Sequence, residues 1–329
     1  MKKKKKLNLN KIILMILVII LVAIPVFSGS VLDMLLNRYS SYGLICRAMP
    51  VFYKIDKNNN DLVVEVSADE HQSDINAPPE ISFEALEIEE GISEEIKIEL
   101  LKTKSQNINL SGDKPKILIY STHATEAYTP TDKMPYKQTD KWRTDDNDKN
   151  IIAVAAALSK ELNEKYGICT LHDTTDYEPP VLGTSYTRSI VGMQNYLEKY
   201  PSLELFIDIH RDAYESKNKN HRDVAMIGDK PVAKVMFVVG TGEGKTGAGF
   251  SKKPNYKENY ALALAISENL KTFSKDIARP IRIKDGRYNQ HIDGRALLIE
   301  IGHNENTLEE ALASVPYIAE SIAKSAKIN

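Results

Sequence analysis

Strand-like and helix-like segments alternate along the chain from about residue 114 onward, and this order constrains the fold more than any other feature. A strand followed by a helix and another strand builds a mostly parallel, twisted sheet flanked by helices on both faces. In such α/β sheets the functional site lies beyond the carboxyl ends of the strands. The predicted strands cover 117–120, 169–172, 203–209, 234–239, 281–283 and 296–301, and the predicted helices cover 151–166, 185–200, 256–273 and 307–327.

Single residues predict where the first of these helices begins and ends. Asp145, Asp146 and Asn147 precede it and are of the types that cap helix N-termini. Gly167 follows its last apolar residues and is expected to terminate it.

An apolar run at 12–27 follows a basic N-terminal tail. As a helix this run spans roughly 24 Å, and continuing it to residue 31 covers the ~30 Å hydrocarbon core of a bilayer. Because the positive flank stays in the cytoplasm, the remainder of the chain is expected on the extracytoplasmic side. The alternative is a signal peptide that is cleaved near Ser28. The predicted organisation is a cytoplasmic tail at 1–11, a single transmembrane anchor at 12–31, a membrane-proximal region at 32–112 and a catalytic domain at 113–329.

Charge and cysteine content exclude several classes of protein. The formal net charge is −2, so no nucleic-acid partner is expected. Cys46 and Cys169 are the only cysteines, which excludes a disulfide framework and a cysteine zinc site. We expect them to be two separate buried side chains, although they could form a disulfide in an oxidising compartment.

Histidines and carboxylates follow two of the predicted strands. His123 and Glu126 come just after the strand at 117–120, and His210 comes directly after the strand at 203–209. Zinc accepts imidazole nitrogen and carboxylate oxygen, and a hydrolytic site uses three protein ligands with one position left for water. We therefore predict a zinc ion held by His123, Glu126 and His210. Asp208 lies two residues before His210, on the same face of the strand, and could orient its ring.

Glu300 lies within the last predicted strand among apolar neighbours. A buried carboxylate without a partner is costly, so Glu300 is expected to be either paired with an arginine or catalytic. As a general base it would take a proton from water and deliver it to the leaving amine. Arg188 and Arg211 could bind substrate carboxylates in bidentate fashion, or could form internal ion pairs.

Several segments resemble the stage II sporulation protein P family of cell-wall hydrolases. They are ILIYSTHATEAYTP, RTDDNDKNI, SYTRS, FIDIHRDA, VAKVMFVVG, RYNQ and LLIEIGHNENTLEEA, in family order between about 114 and 327. The resemblance implies a catalytic domain similar to N-acetylmuramoyl-L-alanine amidases and related to zinc carboxypeptidases. His123 and His210 match the family's metal histidines and Glu300 its amidase glutamate, whereas many relatives have histidine in place of Ser121. The carboxypeptidases favour Glu126 as the carboxylate ligand, and the simpler amidases favour Asp146.

The resemblance also implies the reaction and its setting. The expected substrate is peptidoglycan, cleaved at the amide between glycan and stem peptide, and the expected place is the space between mother cell and forespore membranes during engulfment. Expected partners are a lytic transglycosylase and a membrane scaffold protein. Two alternatives remain: a carboxypeptidase or endopeptidase that acts on stem peptides alone, and a non-catalytic scaffold that binds the wall. The glycine-rich stretch 239–246 lacks the first glycine of a phosphate loop and is expected to be a flap beside the cleft.

Overall fold

A computed structural model of the protein describes residues 86–214, 222–247, 250–292 and 294–327. All of these residues belong to one compact unit. The predicted anchor at 12–31 and the residues before 86 lie outside the described part. None of the helices among the described residues has the length and hydropathy of a bilayer-spanning segment.

The centre of the fold is a seven-stranded sheet. From one edge to the other its strands are β1 (Leu86–Ile88), β9 (Ile281–Lys284), β8 (Val235–Gly240), β10 (Arg295–His303), β5 (Leu205–Asp212), β3 (Ile117–Tyr120) and β4 (Thr170–His172). Only the β8–β10 pair of this sheet is antiparallel, and all its other neighbours are parallel. The prediction of a mostly parallel α/β sheet is therefore confirmed.

The helices cover the two faces of the sheet unequally. The helices are α1 (Glu94–Lys102), α2 (Ile151–Tyr166), α3 (Ser185–Lys199), α4 (Tyr256–Lys271) and α5 (Leu308–Lys324). Apolar residues of α2, α4 and α5 form the main core with alternate residues of the central strands. On the opposite face α3 packs over β3 and β5, where Met193 contacts a smaller apolar cluster. This second face is the one on which a site can open.

Helix α2 has the predicted bounds but not the predicted N-cap. The capping residue is Asn150, whose Oδ1 accepts a hydrogen bond from the N–H of Ile152 at 2.9 Å. Asp145, Asp146 and Asn147 are exposed in the loop before it, so the predicted caps are wrong by three residues or more. Gly167 ends the helix in the left-handed conformation, with φ 64°, as predicted.

Additional elements extend the fold beyond the predicted catalytic domain. Strand β1 pairs with β9, and β2 (Ile108–Asn109) pairs with β11 (Ala326–Lys327) near the C-terminus. Residues 86–112, which we assigned to the membrane-proximal region, therefore belong to the same folded unit as the rest. A hairpin formed by β6 (Val224–Ile227) and β7 (Lys230–Ala233) was not predicted either.

Cys169 lies just before β4 and forms a disulfide. No cysteine in the described part of the chain is free. The expectation of a free buried cysteine is therefore wrong for Cys169. Cys46, the other cysteine of the sequence, lies outside the described residues.

Candidate functional site

The carboxyl ends of β3, β5 and β10 lie side by side and present polar groups on the face covered by α3. Glu300 of β10 is in register with His210 of β5, and Asp208 of β5 is in register with Tyr120 of β3. Residues that pair in register on parallel strands point to the same face, as do residues two apart on one strand. Asp208, His210 and Glu300 therefore lie on one face, whereas Ile207, Ile209 and other intervening apolar residues join the main core.

The turn after β3 brings His123 and Glu126 to this edge. The Nδ1 of His210 lies 3.3 Å from Oε2 of Glu126, and the ring centroids of His123 and His210 are 5.4 Å apart. The structure thus brings together the three residues that we predicted as metal ligands. Asp146 is exposed in the loop before α2, where its Oδ1 accepts a hydrogen bond from the N–H of Asp148. Between the two candidate carboxylates, the geometry favours Glu126.

Glu126 is a buried carboxylate surrounded by positive charge. Its Oε2 accepts a hydrogen bond from the N–H of Arg211 at 3.2 Å, and its Oε1 lies 3.9 Å from Arg211 Nη1 and 4.0 Å from Arg143 Nη2. Burial alone would raise the pKa of Glu126, but the hydrogen bond to His210 and the charges of His210 and Arg211 lower it to about 2. Glu126 is therefore ionised at neutral pH, as a metal ligand must be.

Asp208 holds the other side of the His210 ring. Its Oδ1 lies 3.0 Å from Nε2 of His210 and also accepts a hydrogen bond from the N–H of Thr122 at 2.8 Å. The Thr122 hydroxyl donates to Oδ2 of Asp208 at 2.6 Å. Burial lowers the pKa of His210, yet the charges and hydrogen bonds of Asp208 and Glu126 leave it well above its ordinary value. A protonated His210 ring therefore carries its positive charge between the two carboxylates.

Glu300 lies beside His210 with no cation bonded to it. Its Oε2 is buried and makes no hydrogen bond, although the side chain as a whole is partly exposed. Burial raises the pKa of Glu300 to about 8, the positive charge of His210 opposes that shift, and the negative charge of Glu126 adds to it. Pairing with an arginine was the predicted alternative to catalysis. Among the described residues no arginine forms an ion pair with Glu300, and Arg188 is bonded to the loop between β4 and α3.

Both arginines that we predicted to bind substrate are engaged inside the protein. Arg211 follows His210 and therefore points to the opposite face of β5. Its guanidinium is buried and donates to the carbonyl oxygens of Ala127 and Trp142, each at 3.0 Å. Arg188 donates to the carbonyl oxygens of three residues in the loop between β4 and α3, namely Tyr177, Glu178 and Val181. These contacts favour an internal role for both arginines, while substrate binding stays a prediction.

Glu178 is a residue of the site that sequence reasoning missed. Its Oε1 lies 3.8 Å from Nδ1 of His123 and accepts a hydrogen bond from Arg143 Nη1 at 2.8 Å. Its Oε2 accepts a hydrogen bond from the hydroxyl of Thr125 at 2.6 Å. Glu178 lies in a loop without periodicity, so no pattern marks it. Arg143 is contained in the segment RTDDNDKNI, which carried part of the family resemblance.

The loop that carries Glu178 packs tightly on α3 at Gly192, and this contact gives a testable prediction. A Cβ on Gly192 would lie 1.9 Å from the hydroxyl oxygen of Tyr177 and 2.7 Å from its Cζ. Tyr177 is buried and donates its hydroxyl proton to Asp173, so its ring has little room to move. Helix propensity alone would favour alanine over glycine by about 0.5–1 kcal/mol, but overpacking costs about 1–3 kcal/mol.

We therefore expect Gly192→Ala to lower the melting temperature, as measured by circular dichroism on the full-length chain. The matched control is Gly183→Ala, because a Cβ there meets nothing within 4 Å. The control should melt at or slightly above the temperature of the wild type. Equal melting of the two variants would show that the loop adapts freely to α3.

Two tyrosines form an aromatic wall beside the histidines. The Tyr186 ring lies nearly parallel to His210, with centroids 6.4 Å apart, and contacts His123 edge-on at 5.7 Å. Tyr288 meets Tyr186 edge-on at 5.8 Å. Tyr288 and Asn289 both have positive φ, at 45° and 55°, a strained conformation for non-glycine residues that is frequent at functional sites. Of the RYNQ segment, Tyr288 is the residue whose ring reaches this wall, whereas the Gln290 side chain bonds to the backbone of β8.

Other predicted features lie away from these groups. The stretch 239–246 is tied down at several points, since Lys245 Nζ lies 2.7 Å from Asp285 Oδ2 and Glu243 Oε2 accepts a hydrogen bond from the N–H of Ser93 at 2.9 Å. It follows β8, whose carboxyl end lies at the opposite edge of the sheet from that of β10. These contacts therefore argue against a flap beside the histidines. Ser121 is fully buried, and its hydroxyl makes no hydrogen bond.

A mostly parallel sheet with a histidine–carboxylate cluster at the carboxyl ends of its strands defines the class: an α/β protein whose candidate site lies beyond those strand ends. Comparison with known proteins gives the family. A sequence model of the Stage II sporulation protein P family matches residues 41–323, and the chain belongs to that family. Stage II sporulation protein P of Bacillus subtilis (strain 168) is 28% identical over 315 residues, which cover 89% of this chain and 73% of the relative.

Solved structures of amidases are also similar to this chain. The N-acetylmuramoyl-L-alanine amidase AmiC2 of Nostoc punctiforme is 16% identical, with a TM-score of 0.38, over 65% of this chain and 96% of that one. An N-acetylmuramoyl-L-alanine amidase from Clostridium difficile 630 is 15% identical, with a TM-score of 0.39, over 65% of this chain and 95% of that one.

Proposed function

We propose that this protein is a zinc-dependent peptidoglycan hydrolase that cleaves the amide bond between the glycan and its stem peptide. The observation that carries the proposal is the convergence of His123, Glu126 and His210 with Glu300 at one sheet edge. Membership in the Stage II sporulation protein P family supports a role in the cell wall during sporulation. Cleavage of peptide crosslinks is a second activity that the same site could perform.

Whether these residues fit a zinc ion can be tested on their contacts. No group of three or more His, Cys, Asp or Glu side chains within the described ranges is already arranged as a set of metal ligands. Yet the 3.3 Å between His210 Nδ1 and Glu126 Oε2 is close to the separation of about 3.4 Å expected for two ligands, each about 2.1 Å from a tetrahedral ion. A metal ion between these two atoms would take the place of the proton on Nδ1 of His210. The donor set therefore fits zinc, with His123, Glu126 and His210 as ligands.

When bound, zinc would supply Lewis-acid chemistry, polarising a carbonyl and lowering the pKa of water. The chain's own residues then have distinct tasks. Asp208 lies against the imidazole of His210, and the charge of Arg211 helps to keep Glu126 ionised. Glu300, in register with His210, is placed to accept a proton from water and return it to the leaving amine. A nearby cation would lower the raised pKa of Glu300 and make the carboxylate the resident form.

We also propose that the protein is anchored in the membrane by residues 12–31, with the folded unit on the extracytoplasmic side. The disulfide of Cys169 is consistent with an oxidising compartment. A lytic transglycosylase and a membrane scaffold of the engulfment machinery are the proposed partners. Fractionation of cells that express the full-length chain tests the anchor: recovery of a soluble form that begins near Gly29 would favour cleavage instead.

Digestion of purified cell-wall sacculi tests the proposed reaction. The full-length chain should release stem peptides with a free amino terminus on the first alanine and leave glycan strands without peptide, as identified by mass spectrometry. A chelator should stop the release and added zinc should restore it. Cut peptide crosslinks, with the stem peptides still attached to the glycan, would support the endopeptidase alternative. Binding to sacculi with no new product would support the scaffold alternative.

A further inference from the structure

In each histidine of the site, the two ring nitrogens face different surroundings. For His210, Nδ1 faces Glu126 and Nε2 faces Asp208. For His123, Nδ1 is buried without a hydrogen bond and lies 3.8 Å from Oε1 of Glu178. An imidazole that ligates a metal through one nitrogen commonly donates the N–H of the other to a carboxylate, which fixes its tautomer and orientation. Asp208 is placed to do this for His210.

We propose that Glu178 is the positioning residue for His123: it accepts the Nδ1 proton and so directs Nε2 toward the metal. This inference rests on the proposed function, because it assumes that His123 binds zinc. Glu178 lies in the loop between β4 and α3, outside the strand ends that supply the other groups. It is therefore a second outer carboxylate, brought to the site by a different element of the fold.

The carboxylate of Glu178 is held in place from several sides. Oε2 accepts the Thr125 hydroxyl at 2.6 Å, while Oε1 accepts Arg143 Nη1 at 2.8 Å and the N–H of Thr125 at 3.3 Å. Its backbone carbonyl accepts a hydrogen bond from Arg188 Nη2 at 2.8 Å. The side chain is 12% exposed. A carboxylate fixed in this way can orient a neighbouring ring with little loss of conformational entropy, which a mobile surface glutamate could not.

Arg143 links the surroundings of the two histidines. Its Nη1 binds Glu178, and its Nη2 lies 4.0 Å from Oε1 of Glu126. A single guanidinium thus neutralises part of the charge of two carboxylates that face different imidazoles. Without it, two nearby carboxylates would repel each other. The pairing offsets this repulsion and leaves Oε1 of Glu178 facing Nδ1 of His123.

The test is the zinc dissociation constant of the full-length chain in detergent micelles, measured by competition with a chromophoric chelator. Glu178→Gln keeps the size of the side chain but replaces a charged acceptor with a weak one. We expect zinc affinity to fall by about 10–100-fold, the usual effect of losing an outer partner of a metal ligand. The visible spectrum of the Co²⁺-substituted protein should also change, because the ligand field depends on the orientation of His123.

Two control variants separate positioning from a purely structural role. Glu204→Gln makes the same chemical change at a glutamate whose ion-pair partner is Lys116, away from the histidines, and should leave zinc affinity unchanged. Thr125→Val removes the hydroxyl that holds Oε2 of Glu178, so it should lower zinc affinity in the wild type but cause little further loss in Glu178→Gln. Full additivity of the two losses would show that Thr125 and Glu178 support the turn independently and would overturn the inference.

Failure of this inference can be distinguished from failure of the proposed function. A wild-type chain that binds zinc, together with a Glu178→Gln variant of equal affinity, would overturn the role of Glu178 alone. A wild-type chain that binds no zinc would overturn the proposed function and this inference with it.

Discussion

Glu300→Gln is expected to bind zinc and to fold like the wild type, while its turnover on sacculi falls by about 10²–10⁴-fold, the usual contribution of a general acid–base residue. The amide is nearly isosteric with the carboxylate and cannot take up the proton. Zinc content, melting temperature and dye release from labelled sacculi should be measured on one preparation. A variant that retains most of its activity would remove Glu300 from the mechanism.

The same substitution should raise stability in the metal-free protein at alkaline pH. The unfolded chain ionises Glu300 near its ordinary pKa of 4.5, whereas the folded chain does so only at about 8. Between these values the folded state binds more protons, so the free energy of unfolding falls as pH rises. The destabilisation is absent below about pH 4.5 and complete above about pH 8.

Glu300→Gln removes this titration. Because the side chain is partly exposed, we expect a discounted gain of about 1–2 kcal/mol above pH 8. This corresponds to a rise in melting temperature of roughly 2–8 °C, and the gain should largely vanish near pH 4. Melting curves at the two pH values in the presence of a chelator test the sign. A lower melting temperature at alkaline pH would instead indicate that Glu300 stabilises the fold through a partner.

His210→Ala should abolish zinc binding and activity together, and it should destabilise the protein as well. The imidazole separates two buried carboxylates, Asp208 and Glu126, and its loss leaves them without their shared cation. Breaking a buried ion pair costs about 3–5 kcal/mol. Since Asp208 keeps its two hydrogen bonds from Thr122, we expect a value at the lower end of that range. Elemental analysis of zinc and thermal unfolding measure the two effects.

His172→Ala is the matched control for His210→Ala. His172 is in register with Ile119, whose side chain belongs to the main core on the opposite face from the site. The control should keep its zinc. Glu126→Ala and Asp146→Ala in the same assay identify the carboxylate ligand: we expect loss of zinc in the first and none in the second. Zinc retained by His210→Ala would contradict the ligand set as a whole.

Strong local patterns made much of the fold predictable from sequence. The bounds of β3 and α2 agree with the prediction, because four consecutive apolar residues mark a buried strand and an alanine-rich run ended by glycine marks a helix. The hairpin of β6 and β7 also carried a signal, since Gly228 and Asp229 form a two-residue turn between its strands. Strand β1 carried none, because its three residues are ordered by pairing with β9.

The residues of the candidate site also divide into those that a sequence pattern predicts and those that none does. His123, His210 and Glu300 were predictable because strand ends of a parallel sheet converge, and alternation along β5 places Asp208 beside His210. Arg211 follows His210 on β5, and its guanidinium is buried against the carbonyl oxygens of Ala127 and Trp142. Glu178 could not be predicted from spacing, because a loop held by Arg188 brings it to His123.

The antiparallel pairing of β8 with β10 reverses the polarity of the sheet next to Glu300. The turn after β3 that carries His123 and Glu126 therefore leaves one rim of the sheet. The connection after β9, which carries Tyr288, leaves the opposite rim and reaches Tyr186 across the open face. The two rims are joined by hydrogen bonds, since Asn289 Nδ2 donates to the Ser189 hydroxyl, which lies 2.9 Å from the Thr122 hydroxyl beside Asp208. A change of length in the connection at 285–292 is therefore expected to move the aromatic wall and the histidine–carboxylate cluster together, so the two parts of the candidate site are constrained to vary jointly among relatives.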